Sequence, residues 1–460
     1  MKSADISSWR EAFKLYWDRR LWLIFGLGMA SGFPWVMIGS AMSAWLAEEG
    51  ISRTNIGFFG FIFIAYSINF LWSPVLDRFQ LPIVGRILGQ RRAWVILMQL
   101  LIAAFCWLIA SVSPSEDLLY AKVIAFGLAL ASATQDIAID AFRIDSIPVE
   151  EPNLMAAGSA MATAGWWTGF AGLGAIPLLL VDLDGWTWAD VYQMMSMMML
   201  LLILVPLIAS EPETCRTQAQ RNISQQYDGF LNRSAQSYFS RQARLMLVGF
   251  MVSFYEPMAE FFRRNGVRFA LSILLFIFLF KIGEAFLGRM SVVFYKEVGF
   301  SNTDIALYSK LISWWVTIAF SLIGSLVTIR YGILKGLFIG GVAMAGSNLM
   351  FALLAITGPD KSILISAVII DGFTTAWSTV AFVAFLSMMC NRAFTASQYA
   401  LMASLGTLGR TLLASYSGLL VDYLDGNWAV FFIITALMVI PGLLLLYRIR
   451  HRLKAMAVEF

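Results

Sequence analysis

Eight ionisable side chains stand inside otherwise apolar stretches of this 460-residue chain. Asp136, Asp140, Glu284 and Asp371 are acidic; Lys281, Arg289, Lys310 and Arg410 are basic. A charge in the middle of an apolar span is costly, so each of these residues is a functional candidate. Asp136 and Asp140 are four apart and share one helix face. Two such carboxylates in a poorly screening medium resist ionising together, which suits one of them to carrying a proton. Arg143 and Asp145 follow closely, so an ion cluster with a structural or gating role is the competing reading of Asp140. Gln135 offers donors and an acceptor to a polar ligand, or packs between helices. Lys281 and Glu284 are three apart and can pair along their helix. Either that pair neutralises two costly charges, or cargo and proton compete for it. Arg410 carries the forked donor set that suits a carboxylate, though pairing with Asp371 would satisfy it internally. Ser31 joins the ligand candidates as a hydroxyl. Trp377 joins them as a ring able to stack on a sugar, as do Trp166, Trp167, Trp314 and Trp315.

Some chemistry is excluded. The single histidine, His451, lies in a basic tail. No His-based metal site, Ser-His triad or intramembrane His relay can be built, so proton chemistry falls to carboxylates. Cys106, Cys215 and Cys390 have neither a disulfide pattern nor zinc spacing. Nothing calls for a metal or another cofactor, and no catalytic constellation is present. The expected role is not enzymatic.

The elements that hold these charges are apolar spans. Hydrophobic residues make up 59% of the chain and charged residues 13%, with a mean hydropathy of +0.73. A soluble domain carries about a quarter charged residues. The composition therefore indicates an all-α polytopic membrane protein. Twelve runs are long enough to cross a bilayer: 22–46, 55–76, 93–112, 118–141, 154–181, 189–209, 267–294, 303–329, 334–357, 362–389, 396–421 and 427–447. A further segment, 245–262, contains Glu256, Pro257 and Glu260. It repeats Phe250, Phe254, Met258 and Phe261 at helical spacing, and reads as an amphipathic helix on the membrane surface. Of the 33 Lys and Arg residues, 25 fall in segments assigned to the cytoplasm and four in outer loops. That bias places both termini in the cytoplasm. It also accounts for the net charge of +4 without any nucleic-acid partner.

The polar stretch after span 6 divides the spans six and six. The expected units are 1–209, a linker with the amphipathic helix at 210–266, and 267–460. This is the layout of the major facilitator superfamily, whose substrate sites lie near the midplane between the halves. Gly26-Leu-Gly-Met-Ala-Ser-Gly-Phe-Pro34 in span 1 loosens the helix and permits close approach or bending, with Gly28, Gly32 and Pro34 central to it. Asp77-Arg78 and Arg91-Arg92 form a stretched version of the superfamily's acidic-basic loop signature after span 2.

An ordered set of motifs resembles one family in particular, the AmpG muropeptide permeases of Gram-negative bacteria. These are Ala30-Ser-Gly-Phe-Pro34, Asn55-Ile-Gly-Phe-Phe59, Phe70-Leu-Trp-Ser-Pro-Val-Leu-Asp-Arg78, Ala131-Ser-Ala-Thr-Gln-Asp-Ile137 and Asp140-Ala-Phe142. Phe280-Lys-Ile-Gly-Glu-Ala285, Ala381-Phe-Val-Ala384 and Cys390-Asn-Arg-Ala-Phe-Thr-Ala-Ser-Gln398 continue the set. The resemblance implies a proton-driven importer of the glycopeptide GlcNAc-anhydroMurNAc-peptide across the bacterial inner membrane, serving wall recycling and, in some species, β-lactamase induction. It carries transport importance to Gly28, Gly32, Ala133, Gln135, Asp136 and Lys281. The family usually has Asp where Glu284 stands. Related acetyl-CoA transporters share the layout, and transporters of peptides or drugs are further rivals. With only four Lys/Arg in the spans, the sequence leans against a polyphosphate cargo. Asp136 is the leading expected proton site, with Asp140 and Glu284 as alternatives.

Overall fold

In a bilayer every backbone N–H and C=O must be satisfied within its own segment, which for apolar runs of this length means helix. The computed structural model describes residues 9–51, 60–181, 183–212, 255–300, 304, 308, 312–414 and 416–459. Its regular elements are helical, with no strand among the described residues. Among the described residues, ten helices are long and apolar enough to cross a membrane. They are α1 (Arg19–Leu46), α3 (Gln90–Ile109), α4 (Leu118–Asp145), α5 (Pro152–Val181), α6 (Trp188–Ile208), α7 (Val267–Val298), α8 (Ile312–Tyr331), α9 (Ile333–Thr357), α10 (Lys361–Met389) and α12 (Trp428–Leu453).

The remaining two expected spans are helical but broken. Segment α2 runs as Gly60–Phe63, Ile64–Ile68, Asn69–Leu71 and Ser73–Arg78. Segment α11 runs as Thr395–Ala414 and then Ser417–Tyr423. The two meet each other, as Ser404 Oγ donates to Asn69 Oδ1 at 3.1 Å. A helix that faces the other half instead of lipid has less need to be continuous and apolar.

Two long helices are interrupted at mid-depth. Pro34 has no N–H to give, so Arg19–Gly32 ends there and Pro34–Ile38 begins with proline in its first turn. Helix α7 breaks after Leu279 and resumes at Ile282, leaving Lys281 at the break.

Helices α1 and α5 pack on small residues. A Cβ on Gly28 or Gly32 would meet the α5 carbonyls of Ala162 at 2.6 Å and Trp166 at 2.1 Å. On the facing ridge, a Cβ on Gly165 or Gly169 would meet the carbonyls of Phe25 and Met29 at 2.2 Å. The four-residue spacing on both helices is the small-residue packing used inside membranes. The span 1 glycines therefore serve close backbone approach.

The expected surface helix at 245–262 is partly outside the described residues, including Phe250 and Phe254. What is described is a shorter, later helix, Glu256–Asn265. It lies against protein. Phe261 is buried in the core, and Glu260 accepts from Asn391 Nδ2 at 2.9 Å and Gln398 Nε2 at 2.7 Å. Glu260 thereby draws the helix onto the bundle at the head of α11, while Glu256 pairs with Arg263 of the same helix.

One apolar cluster joins the two halves on the side that carries the basic loops. Ile144, Ile147 and Leu154 of the first half pack with Phe385, Met389 and Tyr399 of the second.

Candidate functional site

The in-membrane charges sort into one group per half, with an ion lattice below them on the basic side. In the first half Asp136 projects from α4 and accepts a hydrogen bond from Ser31 Oγ of α1 at 2.6 Å. The indole N–H of Trp35 approaches the same carboxylate without closing a full hydrogen bond. Rings from three helices gather there. Trp35 of α1 lies 4.5 Å from Tyr66 of α2 and 5.7 Å from Trp166 of α5, centroid to centroid. Tyr66 is held by its hydroxyl, which donates to Ser132 at 2.8 Å.

Gln135 points the other way. It is fully buried, and its Nε2 donates to the Ala30 carbonyl at 2.7 Å. In this conformation it ties α4 to α1, and its Oε1 has no partner among the described residues. Ala133 is likewise buried, in the apolar core of the first half.

In the second half the ammonium of Lys281 is fully engaged. It pairs with Glu284 and donates to Ser378 Oγ at 2.9 Å and Thr379 Oγ1 at 2.8 Å. Three donors meet three acceptors, so this buried charge is satisfied internally. Asp371 does not pair with Arg410. It accepts from Ser347 of α9 at 3.0 Å. Arg410 is exposed, and among the described residues it makes no hydrogen bond or ion pair. Trp377 is buried against Gly324, and its indole donates to Thr328 Oγ1 at 3.2 Å. The structure thus places Trp377 in helix packing between α8 and α10. Side chains at Arg289 and Lys310 lie outside the described residues.

The basic side is closed by a lattice that crosses the halves. Asp77, at the end of α2, accepts from Arg91 at 2.8 Å. It also accepts from the backbone N–H of Ala396 at 3.1 Å, and from Ser397 N–H at 2.8 Å and hydroxyl at 2.6 Å. Those donors form the first turn of α11. A carboxylate at a helix N-terminus satisfies orphan N–H groups and complements the helix dipole. Arg91 continues to Asp145 at 3.0 Å, and Asp145 accepts from Thr395 Oγ1 at 2.7 Å. Arg143 pairs with Asp140 at 3.0 Å and donates to Ser387 Oγ of α10 at 2.9 Å. Arg392 reaches back to the Ile147 carbonyl at 2.6 Å. Asp140 therefore belongs to this lattice, whereas Asp136 stands above it. Arg78 is exposed at the end of α2.

Sequence reasoning missed several partners: Trp35, Tyr66, Ser378, Thr379 and Glu211. The last caps α3, accepting from the N–H of Arg91 at 2.8 Å and Arg92 at 3.1 Å. Nothing in linear spacing marks such pairs, because each joins different helices. A cavity of about 270 Å³ opens between α2 and α11, lined by Phe70, Pro74, Leu274 and Met402; none of the in-membrane charges lines it.

The fold defines the class. The chain superposes on the proton:xylose symporter XylE with a TM-score of 0.64 at 14% identity, covering 93% of this chain and 94% of that one. For the transporter FucP the TM-score is 0.60 at 15% identity, covering 93% and 99%. This is the major facilitator superfamily transporter fold. Sequence comparison narrows it. A relative from Rickettsia felis named "Putative transporter AmpG 4" is 30% identical, over 94% of this chain and 97% of its own length. The anhydromuropeptide permease of Escherichia coli K12 is 29% identical, over 96% and 82%. The family described as Acetyl-coenzyme A transporter 1 matches residues 21–171. The chain belongs to the AmpG family of transporters.

Proposed function

We propose that this protein imports anhydro-muropeptides together with protons across the bacterial inner membrane, with both termini in the cytoplasm. The observation that carries the reading is Asp136. It is a carboxylate held inside a span, with one hydroxyl partner and no cation on it among the described residues. An ionised carboxylate so placed is costly and a protonated one is not. Protonation therefore alters how well α4 tolerates its surroundings, and this is the differential interaction that biases one conformation over another.

Alternating access supplies the rest. The lattice of Asp77, Arg91, Asp145 and Arg143 closes the cytoplasmic side in the conformation described. Opening it exchanges those contacts for access to the cell interior, where the proton and cargo leave. Membership of a family that includes the E. coli anhydromuropeptide permease supports the choice of glycopeptide.

Acetyl-CoA is the second reading, favoured by the match over residues 21–171. A polyphosphate cargo needs several free cations, and among the described in-membrane residues Arg410 is the unpaired one while Lys281 is occupied. The discriminating experiment is competition. Transport of labelled GlcNAc-anhydroMurNAc-tripeptide into proteoliposomes should be blocked by the unlabelled glycopeptide and not by acetyl-CoA. The opposite pattern removes the muropeptide assignment.

A further inference from the structure

The two halves offer a cargo unlike surfaces at one depth. On the first half stand the rings of Trp35, Tyr66 and Trp166, each from a different helix, around the acceptor Asp136. All three rings are half-buried, so each keeps an open edge or face. Flat apolar faces beside a hydrogen-bond acceptor suit a sugar, whose ring carries C–H groups on its faces and hydroxyls on its rim.

On the second half, among the described residues, the in-span cation without an ion pair or hydrogen bond is Arg410. Its neighbours Leu408 and Leu412 are 43% and 51% exposed, as leucines facing lipid would be. Two residues along a helix turn about 200°, so Arg410 points away from that face. The adjacent Gly409 lies against the Phe278 carbonyl of α7, the helix that carries the buried Lys281. The exposed guanidinium therefore opens into the space between the halves.

Depth agrees. Trp35, Tyr66, Trp166, Lys281 and Arg410 stand twelve to sixteen residues in from the basic ends of their helices. At 1.5 Å per residue that is roughly 18–24 Å, a single layer.

We infer that the cargo lies across the halves, its sugar on the Trp35–Tyr66–Trp166 face and a peptide carboxylate on Arg410. Lys281, already engaged by Glu284, Ser378 and Thr379, positions α7 and α10 and does not hold the cargo. The inference rests on the muropeptide reading above. It makes Arg410 the residue that tells an anionic glycopeptide from the uncharged sugar, because a guanidinium gains its forked pair only from an anion.

The test is equilibrium binding of two ligands to the full-length protein: GlcNAc-anhydroMurNAc with a tripeptide, and the same disaccharide without peptide, its lactyl carboxyl capped as the neutral primary amide. The ratio of the two dissociation constants is unaffected by any inactive fraction. Wild type should prefer the tripeptide ligand by at least tenfold. Arg410→Gln should abolish that preference and leave disaccharide binding within twofold, and Arg410→Lys should restore part of it. Trp166→Leu should weaken both ligands by a similar factor. If Arg410→Gln keeps the preference, or weakens both ligands equally, the inference is overturned while the muropeptide reading stands. Trp166→Leu with unchanged disaccharide affinity overturns the ring face. Wild type that binds neither ligand overturns both this inference and the muropeptide reading.

Discussion

Replacing Asp77 by Asn should unlatch the side that carries the basic loops. The carboxylate is 3% exposed and accepts four hydrogen bonds of 2.6–3.1 Å. Three of the four come from Ala396 and Ser397 at the head of α11, and exist only while the two halves meet there. A hydrogen bond to a charged group contributes about 1.5–3 kcal/mol. Asn keeps one oxygen acceptor, so it retains part of this set. It loses the charge at the helix N-terminus, a further 0.3–2 kcal/mol or so. The closed state should therefore weaken by roughly 2–4 kcal/mol, about 30- to 1,000-fold in the opening equilibrium. Ala400 lies in the seam beside Leu76 and Ile137 and is 4% exposed. A cysteine placed at Ala400, with the native cysteines replaced, reports opening through its rate of maleimide alkylation. Asp77→Asn should raise that rate at least tenfold, and Ser397→Ala by a smaller factor. An unchanged rate in a folded variant would refute the latch.

Other outcomes follow from the same geometry. Gly32→Ala sets a Cβ 2.1 Å from the Trp166 carbonyl. Since backbone cannot yield as a side chain does, the melting temperature should drop and transport should fail; overpacking of this kind costs about 1–3 kcal/mol or more. Glu211→Ala strips the cap from the first N–H groups of α3, costing about 1–2 kcal/mol, seen as a lower melting temperature with cargo affinity unchanged. Ser31→Ala removes the hydrogen bond that Asp136 accepts at 2.6 Å, and should move the pH dependence of uptake while leaving tripeptide-cargo affinity within a few-fold. A pH profile that superposes on wild type would separate Ser31 from proton handling.

Much of the fold was legible because the bilayer is a strict solvent. Apolar length located ten spans directly. The two broken segments, α2 and α11, were legible as helical, though their breaks were not. Their pairing at Asn69 and Ser404 relieves them of lipid contact, and no property of either segment alone reveals that. The amphipathic stretch before α7 was readable as a helix, but its docking was not. Glu260 is drawn to Asn391 and Gln398, more than a hundred residues away.

The site was legible as a list of residues and illegible as a set of partners. Composition singled out Asp136, Lys281, Glu284 and Arg410 because each is costly in a span. Helical spacing also gave the Lys281–Glu284 pair. Spacing could not say that Asp371 turns to Ser347 and not to Arg410, since three different helices are involved. Nor could it show that Trp377 is spent on Thr328, or that Gln135 faces Ala30. Asp140 and Arg143 were readable as a pair at i, i+3, while the reach of Arg143 to Ser387 was visible only in three dimensions.

Gradient-driven uptake tests the central claim most directly. Proteoliposomes containing the full-length protein should accumulate labelled GlcNAc-anhydroMurNAc-tripeptide when the proton gradient runs inward. A protonophore should collapse that accumulation. Asp136→Asn should abolish it while preserving exchange of cargo across the membrane, since a side chain that cannot ionise still permits the halves to rock. Uptake that ignores the gradient, or full gradient-driven accumulation by Asp136→Asn, would contradict the account.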